Sequence, residues 1–141
     1  MIRVCPSCQQ KNRVAARHVV SVARCGKCRA DLSPPREPID ADPELFDEVV
    51  GSSPVPVLVD FWASWCAPCR RAAPEVARAA AETAERAVVL KVDTEAWPEL
   101  ASRYRVRSIP NFVVLSGGRT VIQQPGLVPS AQLVAWLVGP A

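Results

Sequence analysis

VPVLVDFWASWCAPCRRAAP, residues 55–74, is the stretch on which the fold turns. From Val55 to Trp62 it is a nearly continuous apolar run, rich in valine and aromatics and interrupted by Asp60. Such a run predicts a strand buried on both faces. From Ala67 to about Arg86 the chain is rich in Ala, Glu and Arg, with apolar positions at Ala73, Val76, Ala77, Ala80 and Ala84. That spacing predicts a helix, kinked at Pro74. Cys66 and Cys69 therefore open the helix as a Cys-x-x-Cys pair. The unpaired N–H groups and partial positive charge of a helix start favour a thiolate there, and Arg70 and Arg71 add to the charge. Cys69 follows one turn on, so the pair can close into a disulfide. Asp60 inside an apolar strand costs several kcal/mol unless paired, so it is a candidate functional carboxylate.

Working outward, Asp42 reads as an N-cap and Pro43 as the first residue of a helix with Leu45, Phe46, Val49 and Val50 as its apolar stripe. Ala87–Val92 is a second strand and Glu99–Tyr104 a short helix. Asn111–Leu115 and Thr120–Gln123 flank Ser116-Gly117-Gly118-Arg119, a hairpin signal. Ser130–Val138 closes the chain as an amphipathic helix with Leu133, Val134 and Leu137 inward. The order predicts an α/β fold, a central mixed sheet flanked by helices on both faces.

The other four cysteines lie upstream, as Cys5-x2-Cys8-x16-Cys25-x2-Cys28. This is zinc-ribbon spacing: two thiolates on one tight knuckle can take two corners of a tetrahedron. Pro6 and Gly26 suit such turns. A segment of about 32 residues also needs a staple, because domains under about 40 residues rarely fold without one, and zinc supplies about 10–16 kcal/mol. Two disulfides or free thiols are the alternatives. His18, the only histidine, is read as a surface residue, since four cysteines already fill the site. Ser33–Pro43, with four prolines, reads as a linker. The expected organisation is a ribbon over 1–32, a linker over 33–43 and a sheet domain over 44–141, with few contacts crossing the linker.

Charge divides the same way. The net formal charge is +3, but residues 1–36 hold eight Lys/Arg against Asp31, hence +7, and the remainder is −4. The basic ribbon has no interleaved aromatics, which disfavours nucleic acid as a partner. No stretch approaches the roughly 18 apolar residues of a membrane span. MIRVCPSC has no apolar signal region, so the expected compartment is the reducing cytoplasm, where Cys pairs are metal sites or catalytic dithiols more often than structural disulfides.

VLVDFWASWCAPCRRAAP resembles the thioredoxin active site, whose usual form is Trp-Cys-Gly-Pro-Cys. The resemblance continues through LKVD (Lys91, Asp93), SIPNFVVL (Ile109, Pro110) and QPGLV (Gly126), over about residues 38–138. With the four-cysteine ribbon in front, the chain is similar to the second bacterial class of that family, which carries an amino-terminal zinc domain. The resemblance implies a thioredoxin fold and a protein-disulfide reductase. Cys66 would be the nucleophile and Cys69 the resolving thiol. Asp60 would take the proton from Cys69, with Lys91 nearby. Ile109–Pro110 would form a cis-proline loop facing the sulfurs, whose backbone pairs with an extended substrate strand. Trp65, Ala67, Pro68 and Gly126 would line the same groove, with Trp62 as core beneath it and Trp97 and Trp136 as packing residues. Ala67 departs from the usual glycine and stiffens the loop, while Pro68 fits the reducing type.

The implied partners are an NADPH-dependent thioredoxin reductase and disulfide-bearing proteins. The implied cofactors are one structural zinc (Zn2+) at Cys5, Cys8, Cys25 and Cys28 and the redox-active Cys66–Cys69 disulfide, with no organic cofactor, in a monomer serving electron transport and redox homeostasis. Two rival readings are a zinc chaperone switched by oxidation and a ribbon binding module on a thioredoxin scaffold.

Overall fold

The computed structural model describes residues 1–139. Two small antiparallel pairs open the chain: β1 (Ile2–Val4) with β2 (Lys11–Arg13), then β3 (Ala23–Arg24) with β4 (Asp31–Leu32), with a 3-10 turn at Ala16–His18 between them. β5 (Ile39–Asp40), α1 (Pro43–Ser52), β6 (Val57–Trp62), α2 (Ala67–Glu82), β7 (Val88–Asp93), α3 (Pro98–Arg103), β8 (Asn111–Ser116), β9 (Arg119–Pro125) and α4 (Ser130–Val138) follow. The last five strands form one sheet in the order β5-β7-β6-β8-β9. β7 runs parallel to β5 and β6, and β8 runs antiparallel to β6 and β9. This is the mixed sheet the sequence predicts.

β6 is central, paired on both edges, which explains its near-continuous apolar run. Its alternation sorts the core. Val57, Val59 and Phe61 pack with Phe46 and Val49 of α1 and Leu100 of α3. Leu58 packs on the other face with Ala72, Val76 and Ala79 of α2 and Leu133 of α4. Asp60 shares Leu58's parity and so enters the face that α2 covers.

Local signals hold at the ends of these elements. The Asp42 carboxylate accepts the Leu45 N–H at 2.8 Å and caps α1. Gly117 (φ +59°) and Gly118 (φ +79°) turn the β8–β9 hairpin with two consecutive positive φ values, as a two-residue hairpin turn requires. α2 runs through Pro74 but stops at Glu82, short of the expected Arg86. Thr83 closes its last turn by bonding Ala79 O through both N–H and hydroxyl, and Glu85 lies at φ +73°. No helix among the described residues is long and apolar enough to cross a membrane.

The segment expected to be a free linker is part of the sheet. Ile39 and Asp40 pair with Leu90 and Lys91 of β7, and Arg36 donates to Ala81 O at the end of α2, at 3.1 Å. Proline is tolerated there because β5 is an edge strand. The expectation of few contacts between the amino-terminal segment and the sheet is also corrected. Ala16 and Val19 are 2% and 1% exposed and belong to the same apolar cluster as Phe46 and Val49. Val19-Val20 thus serves the sheet domain's core, because the four-cysteine segment is too small to bury these side chains itself.

Candidate redox site and four-thiol cluster

β6 ends at Trp62, and a short turn delivers Cys66 to the N-cap of α2. There Cys66 Sγ accepts the Cys69 N–H at 3.1 Å, and the two cysteines are joined by a disulfide. Arg70 folds back over the turn and donates to Ser64 O at 2.8 Å, which keeps its charge beside the helix start. The Ile109–Pro110 bond is cis, and Ile109 O lies 3.6 Å from Cys66 Sγ. Gly126, at φ +91°, donates its N–H to Pro110 O at 2.8 Å, tying the end of β9 to the same loop. A groove of about 390 Å³ runs past the disulfide, lined by Trp65, Cys66, Ala67, Pro68, Thr94 and the Val106–Ile109 loop among others. Of the residues expected to bind substrate, Trp65, Ala67, Pro68 and Ile109 line this groove, and Pro110 and Gly126 brace its wall.

Asp60 is 2% exposed, and its Oδ1 has no hydrogen-bond partner. Burial pushes its carboxyl up to about 7, against the opposing pull of Lys91's charge. Lys91 is its cross-strand neighbour on β7. The Lys91 ammonium lies 4.4 Å from the centroid of the Trp62 ring, and no ion pair to Asp60 forms among the described residues. Trp62 is half-buried and packs beside the two cysteines, with its ring N–H unpaired. Trp97 and Trp136 pack against the cores of opposite sheet faces.

The raised Asp60 pKa has a testable sign. In the folded chain Asp60 ionises at higher pH than in the unfolded chain, so its cost to stability grows from about pH 4 and is complete above about pH 7. Asp60→Asn should raise the stability of the oxidised protein by about 4 kcal/mol near pH 8 and by almost nothing near pH 3. Denaturant unfolding at the two pH values checks this. An equal gain at both would remove ionisation as the cause.

Several contributors escape sequence reasoning because most of their contacts are made between different elements. Glu95 accepts the Trp65 ring N–H at 2.7 Å and fixes the exposed indole at the groove's rim. Asn111 donates to Ser108 O at 3.4 Å, while Gln123 donates to Asn111 Oδ1 at 3.3 Å and to Tyr104 O at 2.8 Å. These bonds hold the Arg105–Ser108 loop against β8 and β9. Only the position of Asn111, directly after Pro110, carries a sequence signal.

The amino-terminal cysteines form a second centre. The Sγ atoms of Cys5, Cys8, Cys25 and Cys28 all lie within 4.8 Å of one another. Cys5 and Cys28 are 3.5 Å apart, and Cys8 and Cys25 3.6 Å. A tetrahedral site with bonds of about 2.3 Å needs sulfurs about 3.8 Å apart, so the four thiols fit a metal ion. Each knuckle closes in the same way. Gln9 N–H bonds Cys5 O and Cys5 N–H bonds Gln10 O; Arg29 N–H bonds Cys25 O and Cys25 N–H bonds Ala30 O. The special backbone positions are Gln9 (φ +65°) and Arg29 (φ +64°), not Pro6 or Gly26. The Cys25 thiol is held down, first by the Cys28 N–H and then by the Lys27 N–H and Asn12, while against the Ala30 N–H the neighbouring thiols, Cys5 foremost, push Cys28 up. His18 stands apart, exposed on the 3-10 turn. Arg3 of β1 is buried, and its guanidinium donates to four carbonyls, those of Ser21, Leu32, His18 and Val19, which ties β1 to the 3-10 turn, the loop after it and β4.

Comparison with known proteins agrees with this geometry. The thioredoxin family model matches residues 37–138. Thioredoxin C-3 of Corynebacterium nephridii is 39% identical over 137 residues, which is 97% of this chain and 93% of that one. Thioredoxin 1 of a Nostoc species is 46% identical over 88 residues, 62% of this chain and 82% of its own length. Among solved structures, a mutant thioredoxin from Halobacterium salinarum superposes with a TM-score of 0.67 at 34% identity, covering 73% of this chain and 89% of that one. The match to the C-3 protein extends across the amino-terminal thiols, whereas the shorter relatives cover less of the chain. On the sheet, the helix-capping disulfide and these relatives together, the chain belongs to the thioredoxin family and is a thioredoxin-like oxidoreductase.

Proposed function

We propose that the protein reduces disulfides in other proteins by thiol–disulfide exchange. The observation that carries this reading is Cys66 at the N-cap of α2, disulfide-bonded to Cys69 and opening on a groove walled by the cis Ile109–Pro110 loop. In the reduced protein the Cys66 thiolate, favoured by the helix start, attacks one substrate sulfur. A mixed disulfide forms and the substrate's second sulfur leaves as a thiolate. Asp60, protonatable near neutral pH, accepts the Cys69 proton, and the Cys69 thiolate attacks Cys66 Sγ. The Cys66–Cys69 disulfide forms and the substrate leaves with both electrons. Lys91 tunes Asp60. Ile109, Pro110, Gly126 and Trp65 hold the substrate as an extended strand, and Ala67 and Pro68 set the thiolate's stability. An NADPH-dependent thioredoxin reductase restores the dithiol, in a reducing cytoplasm.

The amino-terminal centre is, in this reading, a structural zinc site held by Cys5, Cys8, Cys25 and Cys28. Zinc ties the two knuckles together and takes no part in electron transfer. The chain is organised as a ribbon over 1–32 and a redox domain that starts before residue 44, at about residue 37. Metal analysis of protein purified under reducing conditions should return one zinc per chain. Cys25→Ser should lose most of it, and finding no metal in the wild type would remove the zinc assignment.

Insulin reduction with a thioredoxin reductase and NADPH tests the redox reading. The wild type should turn over and Cys66→Ser should fall to background. A wild type that reduces neither insulin nor a small aromatic disulfide would refute it.

A further inference from the structure

Among the described residues six large apolar side chains are strongly exposed, and three of them lie on the ribbon, away from the redox groove: Ile2 at 53%, Val4 at 51% and Val22 at 57%. Exposed apolar groups that cluster mark contact surfaces. Strand register gathers these. In the β1–β2 pair Ile2 stands opposite Arg13 and Val4 opposite Lys11. Cross-strand neighbours share a face and touch. The alternate residues, Arg3 and Asn12, turn inward, where Arg3 is buried and Asn12 meets Cys25. The outer face is therefore an aliphatic pair bordered by two cations. It continues into a depression of about 360 Å³ lined by Arg13, His18 and Val22 among others. Neither Lys11 nor Arg13 forms an ion pair among the described residues. Around them the charge is one-sided: of the eight cations in residues 1–36 only Arg3 is buried, and the only acid besides is Asp31, near Arg24 at 3.9 Å.

We propose that this outer face of β1–β2 docks an acidic protein segment that also presents apolar side chains, separately from the redox groove. Ile2, Val4 and Val22 take the apolar side chains, and Lys11 and Arg13 take the carboxylates. The charge requires an anionic partner. The chemistry of the face selects protein over other anions. The first 40 residues contain no Phe, Tyr or Trp for base stacking. The aliphatic groups lie beside Arg13 and Lys11 on a short two-stranded sheet, not on the amphipathic helix that lies in a lipid interface. The depression of about 360 Å³ at Val22 has room for apolar side chains of the docked segment.

Selection from a random-peptide phage library on the immobilised full-length protein, followed by fluorescence anisotropy, tests the proposal. Enriched peptides should combine Asp or Glu with Leu, Ile, Val or Phe. Their affinity should fall about tenfold or more on Ile2→Ser/Val4→Ser and on Lys11→Glu/Arg13→Glu, and should weaken with salt. Both pairs are exposed, and Lys11→Ser/Arg13→Ser provides a milder variant should charge reversal disturb the ribbon's melting profile. Trp65→Ala should leave binding unchanged. Overturning results are no enrichment, peptides lacking carboxylates, peptides lost on Trp65→Ala rather than on the face variants, or self-association through the face. Binding of oligothymidylate or phosphatidylglycerol vesicles that depends on the cations but not on Ile2 and Val4 would equally overturn it.

Discussion

Cys69→Ser should leave the protein covalently attached to its substrates. With the resolving thiol gone, Cys66 still attacks, because what activates it is its place at the N-cap of α2 and not its partner. The mixed disulfide then has no intramolecular exit. Non-reducing gels should show adducts that dithiothreitol dissolves. Cys66→Ser should form none, since Cys69 lies within the first turn of α2 and does not line the groove, whereas Cys66 does. Turnover of either variant should fall by about 10³-fold or more. Equal trapping by both variants would reverse or cancel the assignment of nucleophile.

Removing residues 1–36 should give a folded but weakened protein. The sheet, the disulfide, Asp60 and the groove all lie beyond the cut. The cut nonetheless strips Val19 and Ala16 from the cluster around Phe46 and Val49. Burying one such aliphatic side chain contributes about 1.5–3 kcal/mol, so the loss should be about 3 kcal/mol, read as a lower denaturant midpoint. Val19→Asp in the full chain should cost a similar amount by putting a carboxylate into the same apolar site. Activity on a small disulfide should persist below the new midpoint. An unchanged midpoint would mean that the Ala16–Val19 turn is not seated on α1 in solution.

What was legible in the sequence followed from local rules. β6 and α2 were readable because an apolar run and a 3.6-residue pattern meet at Cys66, and both depend only on neighbours. The hairpin was readable because two adjacent glycines supply the positive φ values it needs. β5 was not: two residues among prolines carry no periodicity, and only β7 beside them makes Ile39–Asp40 a strand. The buried Asp60 could be suspected from its place in β6. Its missing partner could not, because Lys91's turn toward Trp62 is a tertiary fact. Likewise Val19 and Val20 looked like ribbon residues by position and proved to belong to another core.

The five-stranded sheet ends on two unlike edges, and this bears on solubility. At one end β5 offers only two residues, too few to template a neighbouring chain. At the other, β9 is seven residues long and largely exposed, the kind of edge along which proteins polymerise. It is blunted by Arg119 at its start, Pro125 at its end and a register shift of β8 near Val114 and Leu115. Gln123, which could hydrogen-bond an incoming strand, is spent on Tyr104 O and Asn111. The residues that steady the redox loop thus also disarm the sheet's open margin, so the same contacts guard against fibril-like stacking at high protein concentration.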